Sequence, residues 1–177
     1  MLRELDLPAT LDTPSGQIIL RRATSDDLDQ LMALLADDPV SASRGDVAAP
    51  NDRRAYLDAL EQIIADASND LLVATDPAGR LLGTFQLTRI PGMARRGATR
   101  LQVEAVRVRS ASRSSGVGSA MMRWVTDVAA PTLGSPLVQL TSDADRVDAH
   151  RFYERLGFRA SHVGFKYRVA VETPLRE

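Results

Sequence analysis

The chain has 177 residues, of which 44% are apolar and 25% charged, the composition of one globular domain with a real core. Its formal net charge of −1 supplies no overall field toward nucleic acid or anionic membrane. Cysteine is absent, which excludes disulfides, thiolate metal sites and a cysteine nucleophile together.

In chain order, residues 1–16 carry Pro8 and Pro14 and no sustained period, and read as an extension laid on the surface. They hold no apolar leader, and no later run approaches spanning length, so a cytoplasmic protein is expected. Residues 17–23 (QIILRRA) form a β-branched strand. A helix follows, with Thr24 or Ser25 as N-cap, Asp26 and Asp27 at its positive end, and Leu28, Leu31, Met32 and Leu35 at helical spacing. After a loop, residues 52–67 predict a second helix with Tyr56, Leu60 and Ile63 or Ile64 on one side. The runs 71–75 and 80–90, joined by Asp76-Pro77-Ala78-Gly79, read as a hairpin. Residues 99–109 are a further strand, leading into a glycine loop and a helix with Val117, Met121, Trp124, Val125 and Val128 as its buried stripe. A strand at 136–141, a helix at 146–157 with Gly157 just past its end, and one or two strands at 158–171 complete the chain.

This order mixes an antiparallel, hairpin-built part with one strand–helix–strand crossover. It predicts a mixed, largely antiparallel α/β sheet with helices on both faces. The expected division is an extension at 1–16, one domain at 17–171 and a tail at 172–177.

Within 99–109, Leu101 and Val103 put apolar residues on odd positions, whereas Val106 and Val108 put them on even ones. A strand with one buried face cannot change parity without an extra residue, so a β-bulge is expected near Glu104–Ala105. Bulges re-aim side chains beside active sites.

The loop RSSGVGS (113–119) suits a phosphate. Its small residues let backbone N–H groups approach a ligand, the helix dipole adds partial positive charge, and Arg113 stands beside both. Gly118 is followed by Ser119 and Ala120, not Lys and Ser/Thr, so this is no Walker A loop. Met121 replaces the third small residue of a dinucleotide fingerprint. Plain turn chemistry is the alternative for the two glycines.

Arg-x-x-Gly-x-Gly after an extended strand, followed later by DAHRFYERLGF (148–158), resembles the GCN5-related N-acetyltransferase (GNAT) superfamily. In the second segment Ala149, Phe152, Tyr153, Glu154, Gly157 and Phe158 fall in register with the family's late motif; the same residues also read as a core stripe. The resemblance implies a GNAT-type sheet with a bulged central strand, acetyl-CoA as acyl donor, and direct transfer to a primary amine in a ternary complex. It implies that Arg113, Ser114, Ser115, Gly116, Val117, Gly118 and Ser119 hold the pyrophosphate. Main-chain groups of Val106, Arg107 and Val108 would take the pantetheine arm, with Arg146 and Phe152 on the same cosubstrate.

The catalytic pair implied is Glu104, as base through a water, and Tyr153, as acid toward the thiolate, whose ordinary pKa of about 10 suits donation at neutral pH. A Val106 backbone N–H is the expected oxyanion donor. A solvent-facing carboxylate is the alternative for Glu104. His150 reads as a surface or packing residue, His162 as a loop hydrogen-bonder or a lining residue of the substrate pocket, and no metal is expected. Residues 140–169 look closest to a subgroup including aminoalkylphosphonate N-acetyltransferases, which implies a small amine whose anionic group Arg107, Arg109 or Arg146 would bind. A protein or peptide N-acetyltransferase and a non-catalytic acyl-CoA-binding module are the alternatives. The expected partners are the amine alone, without nucleic acid or membrane, and a homodimer is left open. Three positions depart from the family pattern: Ser110 stands for a proline, Ser114 for a glycine, and Arg146 for an asparagine. A serine at 114 is accommodated if its φ is negative.

Overall fold

The computed structural model describes residues 1–43, 45–167 and 169. The chain divides into two units, Met1–Leu140 and Thr141–Glu177. The first holds a six-stranded sheet in the order β1 (Ala9–Thr13), β2 (Gly16–Arg22), β3 (Asn69–Thr75), β4 (Leu81–Ile90), β5 (Arg100–Val108), β6 (Leu137–Leu140). Neighbours are antiparallel except β5 and β6, which are parallel.

One face, carrying Val73 and Leu81, packs α1 (Leu28–Ala36) and α3 (Arg53–Ala65) in a cluster with Leu28, Leu31, Met32, Leu34 and Leu60. The short helix α2 (Pro39–Ala42) lies between them in sequence, and a turn, α4 (Ala94–Gly97), joins β4 to β5. The opposite face meets α5 (Val117–Trp124), whose Trp124 ring lies 6.4 Å from that of Phe85. After α5 the chain continues through a π-turn (Val125–Ala129) into α6 (Ala130–Thr132). The added residue of the π-turn rotates the helical face, so Ala129 is buried and Val128, expected in the buried stripe, is 46% exposed.

Three other expectations differ. Residues 1–16 are built into the unit: Leu2 and Leu5 are buried, and β1 extends the sheet. The Pro14-Ser15-Gly16 signal was present; Thr13 Oγ1 donates to the Gly16 carbonyl at 2.7 Å and closes a hairpin. Asp27 does more than complement a dipole. It is buried, accepts both Arg21 terminal nitrogens at 2.7 Å, and accepts the Thr24 N–H at 2.9 Å. Finally, residues 158–167 and 169 form no strand, and Phe165 and Tyr167 are exposed. Alternation assigns side chains to faces, but a strand requires a partner ladder. Positions 168, 170 and 171 of that expectation lie outside the described residues.

In the second unit α7 (Val147–Arg155) ends as expected at Gly157, whose φ is 89°. The Phe158 N–H donates to the Tyr153 carbonyl and the Gly157 N–H to the Glu154 carbonyl, satisfying the helix end. Among the described residues no helix is long and apolar enough to cross a membrane.

Candidate active site

The parity break in β5 is a bulge. Gln86 pairs with Glu104 and Thr84 with Arg107, so Ala105 and Val106 together oppose Phe85. Ala105 has φ 50°, and the kink leaves Glu104 exposed. Glu104 and Arg107 share the face covered by α1 and α3, because their partners Gln86 and Thr84 are two residues apart on β4.

Pairing of β5 with β6 covers only Arg100–Val103 against Leu137–Leu140. From Glu104 onward, no described strand pairs with that edge of β5. The Arg109 N–H donates to the Leu82 carbonyl, so strand alternation turns the main-chain groups of Val106 and Val108 to the open edge. Those of Arg107 face β4 instead; a Cβ on Gly83 would meet the Arg107 carbonyl at 2.8 Å. The Arg107 guanidinium donates to the Val106 carbonyl at 2.8 Å and, through Nη2, to Ser41 Oγ on α2 at 2.5 Å. Arg109 donates its Nε to the Leu81 carbonyl.

Beyond β5, a 3-10 turn at Ser110–Ser112 leads through Arg113 to Gly116, the N-cap of α5. The first helical bond runs from Ala120 N–H to the Gly116 carbonyl, so the N–H groups of Val117, Gly118 and Ser119 precede the intrahelical ladder. Arg113 is exposed beside them. Ser114 has φ 63°, so the negative φ that would accommodate a serine is not adopted, and the residue holds a left-handed conformation that favours glycine. Ser115 Oγ donates to the Ser112 carbonyl. Gly116 and Ser119 also line a groove of about 420 Å³ with Thr10, Pro14, Arg123 and Trp124.

Three polar contacts carry no local sequence signal. Asp37, the C-cap of α1, accepts the Ser110 N–H at 2.6 Å and the Ser110 hydroxyl at 2.9 Å. The Ser110 N–H, chiefly, holds the Asp37 carboxyl below its ordinary range, and a proline at 110 has no such donor. Ser41 is buried against Arg107. Tyr56 donates its hydroxyl to Asp46 at 2.6 Å, and that bond, with burial, pushes the phenol up to about 12. A fourth, Gln102, donates Nε2 to Glu104 Oε1 at 2.9 Å; period-2 spacing from Glu104 was its only clue.

In the second unit Tyr153 lies edge-on to Phe152 and Phe158, with ring centroids 5.1 and 5.7 Å away. Arg146 is the N-cap of α7 and makes no side-chain cap bond there. His150 Nε2 lies 2.8 Å from the Asp143 carbonyl, and His162 Nδ1 2.8 Å from Ser161 Oγ, both local contacts. Among the described residues no group of three or more His, Asp or Glu side chains could hold a metal ion.

Sheet order and strand geometry define the class: a mixed α/β protein whose sheet is opened at a bulged strand running into a glycine-capped helix. The model of the Acetyltransferase (GNAT) family matches residues 28–158, and the chain belongs to that family. It is an N-acetyltransferase, of a family whose members generally use acetyl-CoA. Among solved structures, a protein named as a transcriptional regulator from Bacillus halodurans C-125 is 38% identical, with 86% of this chain and 99% of that one covered at a TM-score of 0.80. An acetyltransferase of Trypanosoma brucei is 25% identical over 86% and 99%, with a TM-score of 0.66. The glucosamine-6-phosphate N-acetyltransferase of Arabidopsis thaliana shares the fold, at 17% identity over 86% and 99% and a TM-score of 0.69. No curated protein matches.

Proposed function

We propose that the protein transfers the acetyl group of acetyl-CoA directly to the primary amine of a small molecule in a ternary complex. The observation that carries this reading is the open edge of β5 from Glu104 to Val108, continuous with the N–H groups that begin α5. An extended chain bearing amides fits such an edge as a neighbouring strand would. Val106 and Val108 supply the main-chain groups, while Val117, Gly118, Ser119 and the Arg113 guanidinium suit a pyrophosphate. Phe152 and Arg146 are assigned to the same cosubstrate from the family motif.

Acetyl-CoA supplies the acetyl group as a thioester. Glu104, exposed at the bulge, takes the amine proton through a water; Tyr153 returns a proton to the departing thiolate; the Val106 N–H stabilises the carbonyl oxygen. Absence of cysteine supports direct transfer over a thiol-linked acyl-enzyme. The bond from Arg107 to Ser41 pins α2 against the Glu104 face, which favours a compact acceptor. An anionic amine such as an aminoalkylphosphonate is the first to try, on the resemblance of residues 140–169.

The test is thiol release from acetyl-CoA against primary amines, aminoalkylphosphonates, amino acids and peptides. Turnover with small amines supports the proposal. Turnover restricted to peptides replaces its acceptor, and acyl-CoA binding without turnover identifies a non-catalytic module. Arg113→Ala is expected to raise the KM for acetyl-CoA about tenfold with little change in kcat. Tyr153→Phe is expected to do the opposite, lowering kcat by roughly a hundredfold at constant KM. An unchanged kcat in Tyr153→Phe removes Tyr153 as the acid.

A further inference from the structure

The sheet face that carries Glu104 is polar across β4, β5 and β6 there, with Leu71 of β3 beyond Gln86. Register places Asn69 beside Thr88, Thr88 beside Gln102, Gln102 beside Gln139, and Gln86 beside Glu104. Directly paired residues project to the same face, so these side chains form one amide and hydroxyl row. The other face of the same strands is Leu72, Phe85, Leu87, Leu101 and Val103, all buried.

Gln102 is the anomaly in that row. It is 7% exposed, on an interior strand, where an apolar side chain would be easier to bury than an amide. Its hydrogen bond goes to Glu104 Oε1, at 2.9 Å. Positions two apart on a strand share a face, so the contact is built into β5.

Gln86, directly across from Glu104, is turned elsewhere. Its Nε2 donates to Asn69 Oδ1 at 2.8 Å, and the same oxygen accepts the Thr88 hydroxyl at 2.6 Å. Asn69 is held in turn by its own Nδ2 donating to Asp66 at 2.8 Å. The amide facing the carboxylate across the ladder is therefore committed to β3, and the donor to Glu104 comes from its own strand.

We infer that Gln102 is a positioning residue for Glu104, an assignment that rests on the reading of Glu104 as the base. The buried amide holds Oε1 and fixes the carboxylate plane at the bulge, where the flanking backbone is kinked. Oε2 then becomes the oxygen that accepts the amine proton through the water. An exposed glutamate without this anchor samples many rotamers, and few of them present an oxygen to the water that relays the proton.

The test measures thiol release from acetyl-CoA by the full chain, with whichever amine the enzyme turns over fastest. Gln102→Leu and Gln102→Met keep the buried volume and remove the donor. Each is expected to lower kcat about tenfold, to leave the KM for acetyl-CoA within about twofold, and to retain the thermal midpoint. Glu104→Gln is expected to lower kcat roughly a hundredfold. Adding Gln102→Leu to Glu104→Gln is expected to cost nothing more, because the anchored group is gone.

Wild-type kcat in both Gln102 variants, alongside a slow Glu104→Gln, overturns the positioning role and leaves the base intact. An equal loss from Gln102→Leu in both backgrounds, or a loss that follows the thermal midpoint, also overturns it by marking general packing. Wild-type kcat in Glu104→Gln instead removes the base, and the positioning role falls with it.

Discussion

Gly116→Ala is expected to lower thermal stability and acetyl-CoA affinity together. Gly116 has φ 91°, and a Cβ there would lie 2.4 Å from Pro14 Cδ and 3.3 Å from Pro14 Cγ. The proline ring cannot swing aside, because the hairpin turn around it is tied by Thr13 Oγ1 to the Gly16 carbonyl and by the Ser15 N–H to Thr13 Oγ1. A left-handed alanine costs roughly 1–2 kcal/mol, and forcing a methyl into this contact costs about 1–3 kcal/mol more. A total of about 3 kcal/mol lowers the Tm of a chain this size by roughly 6–12 °C. Whatever backbone movement relieves the clash also displaces the N–H groups of Val117, Gly118 and Ser119, so the KM for acetyl-CoA rises. Pro14→Ala in the same background is expected to recover the contact part of the loss and leave the backbone part. A Gly116→Ala protein with wild-type Tm would show that the hairpin does not press on the helix N-terminus.

Asp27→Asn should produce the other large stability loss, with a pH signature. Burial alone would push the Asp27 carboxyl up, but the Arg21 guanidinium and the Thr24 N–H outweigh it and hold the group below its ordinary range. Asparagine turns a donor or a neutral carbonyl toward Arg21, whose side chain is itself 32% exposed. Breaking such a pair costs about 2–3 kcal/mol, the lower end for buried pairs because Arg21 reaches solvent. The expected fall in Tm is roughly 5–10 °C at neutral pH. A carboxyl with a depressed folded pKa contributes stability that is complete above its unfolded value, about 3.9, and is lost as pH falls through the folded value. The gap between wild type and variant is therefore constant from neutral pH down to about 4 and closes below it. Thermal melts of both proteins across that range check the assignment; a gap that closed nearer neutrality would point to another group.

Local chemistry was legible wherever its determinants lay within a few neighbouring residues. The switch from odd to even apolar positions between Val103 and Val106 was enough for the bulge, because parity is a property of one strand. Gly157 marked the end of α7 for the same reason, since the left-handed residue and the bonds it permits lie within one helical turn. The two family motifs lie in short continuous segments, and the family model matches across both.

Contacts between residues distant in the chain come from the fold. The Ser110–Asp37 bonds span 73 positions and the Arg107–Ser41 bonds 66, and no periodicity links such pairs. Ser114 keeps a left-handed φ despite its Cβ because the loop is fixed at both ends, by Ser110 against Asp37 and by Gly116 against Pro14. The first residues became part of the sheet only because β2 offered an edge to pair with. Neighbouring residues alone make β5 break step at Glu104 and run into a glycine-capped helix. The fold decided what that break exposes, because β6 stops pairing at Leu140 and Gln102 is buried where it can hold the carboxylate.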